Sequence, residues 1–229
     1  MKKTFTISLV LICFFIPALS QNDVRKSSVD LGTEIPVIYS AGLTFPVYKQ
    51  LDLNFRTGIL TYPYDRAIIS ILDAFVNDKA LTGTIGEAFS YGICFKSGIN
   101  YLFRSLYTGI HYSFLSLTAK DTPVDLINNY YGLNLPISYI FEPVVYMLRS
   151  DLHNAGLVIG KNFRINEQIV FSAEFSVMKT FLSNTRLESS RALNIIDAST
   201  LIHNKLEDYY LAYGWIPTIN LYFRFQTAK

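Results

Sequence analysis

Between residues 89 and 101 the side chains alternate in kind with a period of two. The odd positions are Phe89, Tyr91, Ile93, Phe95, Ser97, Ile99 and Tyr101; the even ones are Ser90, Gly92, Cys94, Lys96, Gly98 and Asn100. Successive side chains of a β-strand point to opposite faces, so the stretch reads as a strand with one apolar, aromatic face and one small or polar face. It outlasts an ordinary half-buried strand of about 4–8 residues and reaches the roughly 9–11 that a tilted strand needs to cross a bilayer. A greasy outer face over a polar inner face is the pattern of a transmembrane β-barrel strand.

The same design recurs along the chain. Ile35, Val37, Tyr39, Ala41, Leu43 and Phe45 alternate with Pro36, Ile38, Ser40, Gly42 and Thr44, and Pro36 suits a strand's first residues because it donates no ladder bond. Leu51, Leu53, Phe55 and Ile59 oppose Asp52, Asn54, Arg56 and Gly58. Leu106, Thr108, Ile110, Tyr112 and Phe114 oppose Tyr107, Gly109, His111 and Ser113. Residues 155–164 form another strand, and Ile169, Phe171, Ala173, Phe175 and Val177 oppose Val170, Ser172, Glu174, Ser176 and Met178. The last strand is read over 207–226, ending with Ile219, Leu221, Phe223 and Phe225 on one face and Asn220, Tyr222 and Arg224 on the other.

Three connections carry helical spacing. After Asp65 as N-cap, Ile68, Ile69, Leu72, Phe75 and Val76 predict an amphipathic helix over 66–77. Thr122-Pro123 opens a short helix to about residue 129, with Pro at its first position. Residues 183–204 read as a polar loop around a helix with Leu193, Ile196, Thr200 and Leu201 on one side. Residues 130–148 alternate through Tyr131, Leu133, Leu135, Ile137, Tyr139 and Phe141 but are interrupted by Pro136 and Pro143; they are taken as one kinked strand. The total is then eight, the even number that a closed antiparallel barrel needs, and it becomes odd if 130–148 holds two strands. With both chain ends in the periplasm, this count puts the first two helical connections inside and the third outside, against the norm of short periplasmic turns.

The amino end places the barrel in a compartment. Lys2 and Lys3, an apolar run centred on residues 7–16 and Ala18-Leu19-Ser20 form a charged region, a hydrophobic region and a cleavage site. Residues 1–20 are therefore expected to be a signal peptide cleaved near Ser20, 21–32 a polar lead-in and 33–229 the barrel. Half of the residues are hydrophobic, with 16 Tyr and 17 Phe against one Trp, yet past the signal no apolar run reaches the roughly 18 residues of a helical span. Cys13 leaves with the signal, and Cys94 alone allows neither an intrachain disulfide nor a thiolate zinc cluster. A net charge of +2 without clustering does not point to nucleic acid.

On the signal peptide, the repeated dyad strands and the terminal Leu221-Tyr222-Phe223-Arg224-Phe225, the chain resembles the small outer-membrane β-barrel proteins of Gram-negative bacteria. Ala-Leu-Ser before Gln21, and Arg56-Thr57-Gly58-Ile59-Leu60 with Pro63-Tyr64-Asp65, resemble uncharacterised barrels of the Bacteroidetes group. The resemblance implies that Phe223 and Phe225 carry the assembly signal read by the barrel-insertion machinery, although four residues follow Phe225 where many members stop. It also implies outer-membrane lipid, lipopolysaccharide included, as surroundings. It names no activity.

Arg56, Lys96, His111, Glu142, Glu174 and Arg224 fall on the inward faces. Narrow barrels fill their interior with side chains, so these six are expected to form a paired polar network. The catalytic alternative is His111-Tyr112-Ser113 with Asp125, because His and Ser two apart on a strand share a face. It resembles the His-x-Ser of outer-membrane lipid A deacylases, but Phe114-Leu115 replaces their Asn-Ala and Asp125 their Glu. His111, His153 and His203 are scattered, so neither a metal nor a cofactor is expected. The expected protein is non-catalytic, with a structural, narrow-passage or partner-binding role, the partner being an envelope protein docked on the helical connections. The alternatives are that lipid hydrolase and a soluble periplasmic barrel with an apolar lumen for a hydrophobic ligand.

Overall fold

The structure, a computed structural model, describes residues 26–64, 66, 70, 89–120, 124, 127–128, 132–136, 138–139, 142–190 and 195–227. The expected signal peptide and most of the 66–77 helix lie outside them; within the latter, Arg66 and Ser70 are helical. Among the described residues the strands are β1 (Ser28–Ile35), β2 (Ile38–Tyr48), β3 (Leu51–Leu60), β4 (Phe89–Phe103), β5 (Leu106–Ala119), β6 (Ser138–Tyr139), β7 (Glu142–Pro143), β8 (Tyr146–Arg164), β9 (Ile169–Ser189) and β10 (Trp215–Gln226); the helix α1 (Ile196–Tyr213) precedes β10. Eight of the strands close into an antiparallel barrel in the order β1-β10-β9-β8-β5-β4-β3-β2, with β1 also paired to β2; β6 and β7 form a separate two-residue hairpin.

The side chains are distributed inside out relative to a soluble protein. Leu43, Ile59, Ile93, Phe95, Ile99, Ile110, Leu157, Ile159, Phe175 and Ile219 are large, apolar and exposed on the outer wall. The alternate positions, among them Asp30, Asn54, Arg56, Lys96, Asn100, His111, Glu174 and Asn220, are polar and buried inside. Aromatic rings and snorkelling lysines border the apolar band. Toward the chain termini these are Tyr48, Tyr101 and the ring series Phe163–Phe171–Phe223, with Lys161 over Phe163. At the other rim Lys120 lies over Tyr91 and Lys179 over Trp215. The fold is thus an all-β, up-and-down transmembrane barrel, and the apolar-lumen alternative, which needs these faces exchanged, does not fit it.

Two errors in the strand reading cancel in the count. Residues expected as a lead-in form β1, where Val29, Leu31 and Ile35 face out and Asp30 and Glu34 face in. Among the described residues, 130–145 contribute no barrel strand, and 146–148 belong to β8, which starts at Tyr146 and not at residue 155. Leu135 is buried in a small core over the barrel mouth, its backbone N–H and carbonyl both bonded to the Asn128 side chain at 2.8 and 3.0 Å. Pro136 precedes the hairpin and Pro143 ends it, and neither can donate a ladder bond. The corrected count also removes the conflict in orientation. Turns 49–50, 104–105 and 165–168 now lie at the end that carries both termini, and connections 61–88, 120–145 and 190–214 all leave from the opposite end.

α1 runs later than the spacing suggested. Ala198, Ile202 and Leu206 are its buried face, Ile196 is exposed, and the preceding strand β9 continues to Ser189. Beyond Lys179, β9 has outrun its partner β10, and α1 covers the open edge. The Ser199 hydroxyl accepts from the Leu187 N–H at 3.2 Å, and His203 Nδ1 from the Thr185 N–H at 3.2 Å. An uncovered edge would leave those donors unpaired.

Large inward side chains face glycines across the sheet. Tyr222 faces Gly32, Arg56 faces Gly42, His111 faces Gly98, Asn100 faces Gly109 and Tyr107 faces Gly160. A Cβ built at any of these glycines collides with the partner named. Gly98→Ala is therefore expected to cost about 1–3 kcal/mol through overpacking. Urea unfolding followed by Trp215 fluorescence measures this, and His111→Ala in the same chain should return part of the loss.

Candidate functional site

The inward positions of β1, β3, β4, β9 and β10 bring opposite charges together at the barrel axis. Arg56 donates two hydrogen bonds to Glu174, Nη1 to Oε2 at 3.1 Å and Nη2 to Oε1 at 2.9 Å. Arg224 Nη2 donates to the same Glu174 Oε1 at 3.2 Å, as does Tyr107 through its hydroxyl at 2.7 Å, and Asn220 Nδ2 donates to Oε2 at 3.2 Å. Asp30 Oδ2 lies 3.6 Å from both Arg56 and Arg224, and the Ser28 and Thr44 hydroxyls donate to Asp30 at 2.8 and 2.7 Å. Lys96 pairs with Glu34, whose other oxygen accepts from the Tyr222 hydroxyl at 2.7 Å. The Arg56 guanidinium stacks over the Tyr222 ring, 3.9 Å from its centroid.

The fork of Arg56 on Glu174 is the strong, geometrically specific form of ion pair, and the surrounding hydroxyls and amide supply further bonds that desolvated charges need. The Arg56, Asp30 and Glu174 side chains have 0% accessible surface, so side chains fill the lumen at this level. Toward the helix-bearing end an apolar layer continues the filling, with Val37, Ile38, Leu60, Cys94, Leu115 and Leu152 buried together. Above it Ile127 and Leu135 of the 120–145 connection and Ile202 of α1 pack with Tyr146 of β8 and Leu187 of β9.

Of the residues singled out from sequence, Arg56, Lys96, His111, Glu174 and Arg224 are buried in the lumen. Glu142 is not in the barrel wall; it belongs to the β6–β7 hairpin. Asp30, Glu34, Tyr107, Asn220 and Tyr222 are the network members that sequence reasoning missed. Asp30 and Glu34 were legible, because Val29, Leu31, Thr33 and Ile35 alternate around them as in the other strands. Phe223 and Phe225 are exposed on the outer face of β10.

The His111–Ser113 pair shares a face and does not form a catalytic contact. His111 Nε2 is 2.9 Å from Asn100 Oδ1 and 3.5 Å from Asn54 Nδ2, and its Nδ1 has no hydrogen-bond partner among the described residues. Ser113 Oγ accepts from Asn154 Nδ2 at 3.1 Å. Side chains two apart on a strand are roughly 6–7 Å from each other along it, beyond hydrogen-bond reach. Asp125 lies outside the described residues. Both side chains are buried inside the barrel, whereas acyl chains would lie against its outer wall. Among the described residues no three metal-ligating side chains come together.

These features define a small transmembrane β-barrel with a side-chain-filled, ion-paired interior. No protein-family model matches the sequence, and no curated protein matches it. Among solved structures, the chain is similar to CarO of Acinetobacter baumannii at 12% identity, covering 90% of this chain and 100% of that one with a TM-score of 0.41. It is also similar to a major outer membrane protein of Thermus thermophilus at 12% identity, with coverage of 90% and 100% and a TM-score of 0.48.

Removing one partner of a buried ion pair strands the other charge. Glu174→Gln is expected to cost about 3–5 kcal/mol in urea unfolding, because Arg56 and Arg224 lose their shared anion. Glu188→Gln, on the exposed end of β9, should stay within about 0.5 kcal/mol of the unsubstituted chain in the same assay.

Proposed function

We propose that this chain is a non-catalytic outer-membrane β-barrel with a closed lumen, whose role is exerted at the helix-bearing end as a structural and partner-binding element of the envelope. The observation that carries the reading is the filled interior beneath an apolar outer wall. The wall suits a bilayer, and among the described residues the Arg56–Glu174–Arg224 cluster and the apolar layer above it occupy the lumen, which argues against a passage role. The lack of a base–nucleophile contact between His111 and Ser113 argues against the hydrolase. What remains available to a partner is the end at which β3 and β5 finish and α1 lies, opposite the turns 49–50, 104–105 and 165–168. In the usual barrel topology, with termini in the periplasm, that end faces outside. Insertion would proceed through the barrel-assembly machinery, with Phe223 and Phe225 as its signal.

Two measurements test this reading. In planar bilayers the inserted protein is expected to add no stepwise ionic conductance; steady conductance steps would contradict the closed lumen. For orientation, single cysteines at Asp208 of α1 and Glu167 of the β8–β9 turn are compared in a Cys94→Ser background. An impermeant maleimide on intact cells should label position 208 and reach 167 only after permeabilisation. The reverse pattern would contradict the outward-facing helical end.

A further inference from the structure

The outer wall carries a charged cluster at the height where the apolar band ends on β5, β8 and β9. Moving along the wall away from the termini, Ile110, Leu157, Ile159 and Phe175 give way to an aromatic group of Tyr112, Phe114, His153 and Phe181. The Tyr112 hydroxyl lies 2.7 Å from His153 Nδ1. One outward position further along β8 comes Asp151, and one beyond it Arg149. Arg149 stands directly opposite Arg186 of β9.

Two like charges facing each other across a sheet repel unless something holds them. Here Asp151 does so. Its Oδ1 accepts from Arg149 Nε at 3.3 Å and from the Ser116 hydroxyl at 2.6 Å, and its Oδ2 accepts from Arg186 Nη2 at 3.1 Å. One carboxylate thus orients two guanidinium groups and leaves the trio one positive charge in excess. The Arg149 and Arg186 side chains are 45% and 50% accessible, against 11% for Asp151. Each arginine keeps N–H donors beyond those it directs at Asp151. Glu188 stands one outward position further from the apolar band on β9.

We propose that Arg149 and Arg186, braced by Asp151 and Ser116, form an outward-facing binding site for the phosphate group of a lipid headgroup in the leaflet at the helix-bearing end. This inference rests on the membrane reading under Proposed function and adds a specific lipid chemistry to it. A guanidinium fork matches phosphate oxygens, and a pair held at fixed separation has lost part of its freedom before the ligand arrives. The aromatic group just below supplies contact for the first methylenes of the acyl chains, which is what separates a lipid from free phosphate.

The test uses the full folded chain in a neutral detergent. It is titrated with bis-phosphorylated lipid A, with the dephosphorylated lipid and with inorganic phosphate, and bound lipid is counted by native mass spectrometry. The phosphorylated lipid should be retained over the dephosphorylated form, and inorganic phosphate at equal concentration should not displace it. Arg149→Gln with Arg186→Gln should weaken retention by roughly tenfold for each arginine removed, the range of a hydrogen bond to a charged group. Arg→Lys at both positions should retain an intermediate affinity, because charge remains without the fork. Lys161→Gln, at the opposite rim, should leave retention unchanged. The proposal is overturned if the double Gln variant retains lipid like the unsubstituted chain, if dephosphorylation makes no difference, or if inorganic phosphate competes equally. Recovery of the unsubstituted chain outside the outer-membrane fraction would overturn the membrane reading as well. Recovery within it, without phosphate discrimination, overturns this proposal alone.

Discussion

Closure between the first and last strands is the constraint on which the rest of this structure depends. In hydrocarbon no water is available to a backbone N–H or carbonyl, so a sheet crosses a bilayer only if it has no open edge. β1 meets β10 in unbroken register from Ser28↔Gln226 to Ile35↔Ile219 and meets β2 on its other side. Without β1, both β2 and β10 would present an unpaired edge to lipid. The same rule governs the helix-bearing end. There β9 outruns β10, and side chains of α1 take over bonds that a further strand would have made.

A barrel of this width must be filled, and at the level of Arg56 and Glu174 the inward positions fill it with polar side chains. The volume is fitted by pairing bulky inward residues with glycines across the sheet, so that Tyr107, Arg56, His111 and Tyr222 lie over bare backbone. The charge is fitted by sharing. Glu174 serves two arginines, Asp30 touches the same two, and Glu34 joins Lys96 to Tyr222. Such networks are weak evidence for stability in themselves. They fix which strands can neighbour one another, because Arg56, Glu174 and Arg224 come from β3, β9 and β10 and meet only at the axis.

Much of this was legible in the sequence, and the failures have physical causes. The period-two rule found β4, β5, β9 and the end of β10 because their two faces differ sharply in polarity. It passed over β1, where Asp30 and Glu34 gave a charge density that resembles a solvated lead-in. Those two acids are tolerated inside only because Arg56, Lys96 and Arg224 arrive from strands distant in sequence, which no local pattern reveals. The alternation of 130–141 misled for the opposite reason. Its Leu133 and Leu135 serve the small core above the mouth, and a local apolar rhythm does not say which partner it packs against. The bracing of Arg149 and Arg186 by Asp151 was likewise invisible, since it depends on the register of β8 against β9.

All of this requires an inserted barrel with its apolar face outward. Its most direct test is the electrophoretic mobility of protein recovered from fractionated cells, with and without heating. An inserted barrel is recovered in the outer membrane, resists extraction by urea and gives an unheated band that runs faster than the boiled one. Recovery in the soluble periplasm, with a single band that heating does not shift, would contradict it.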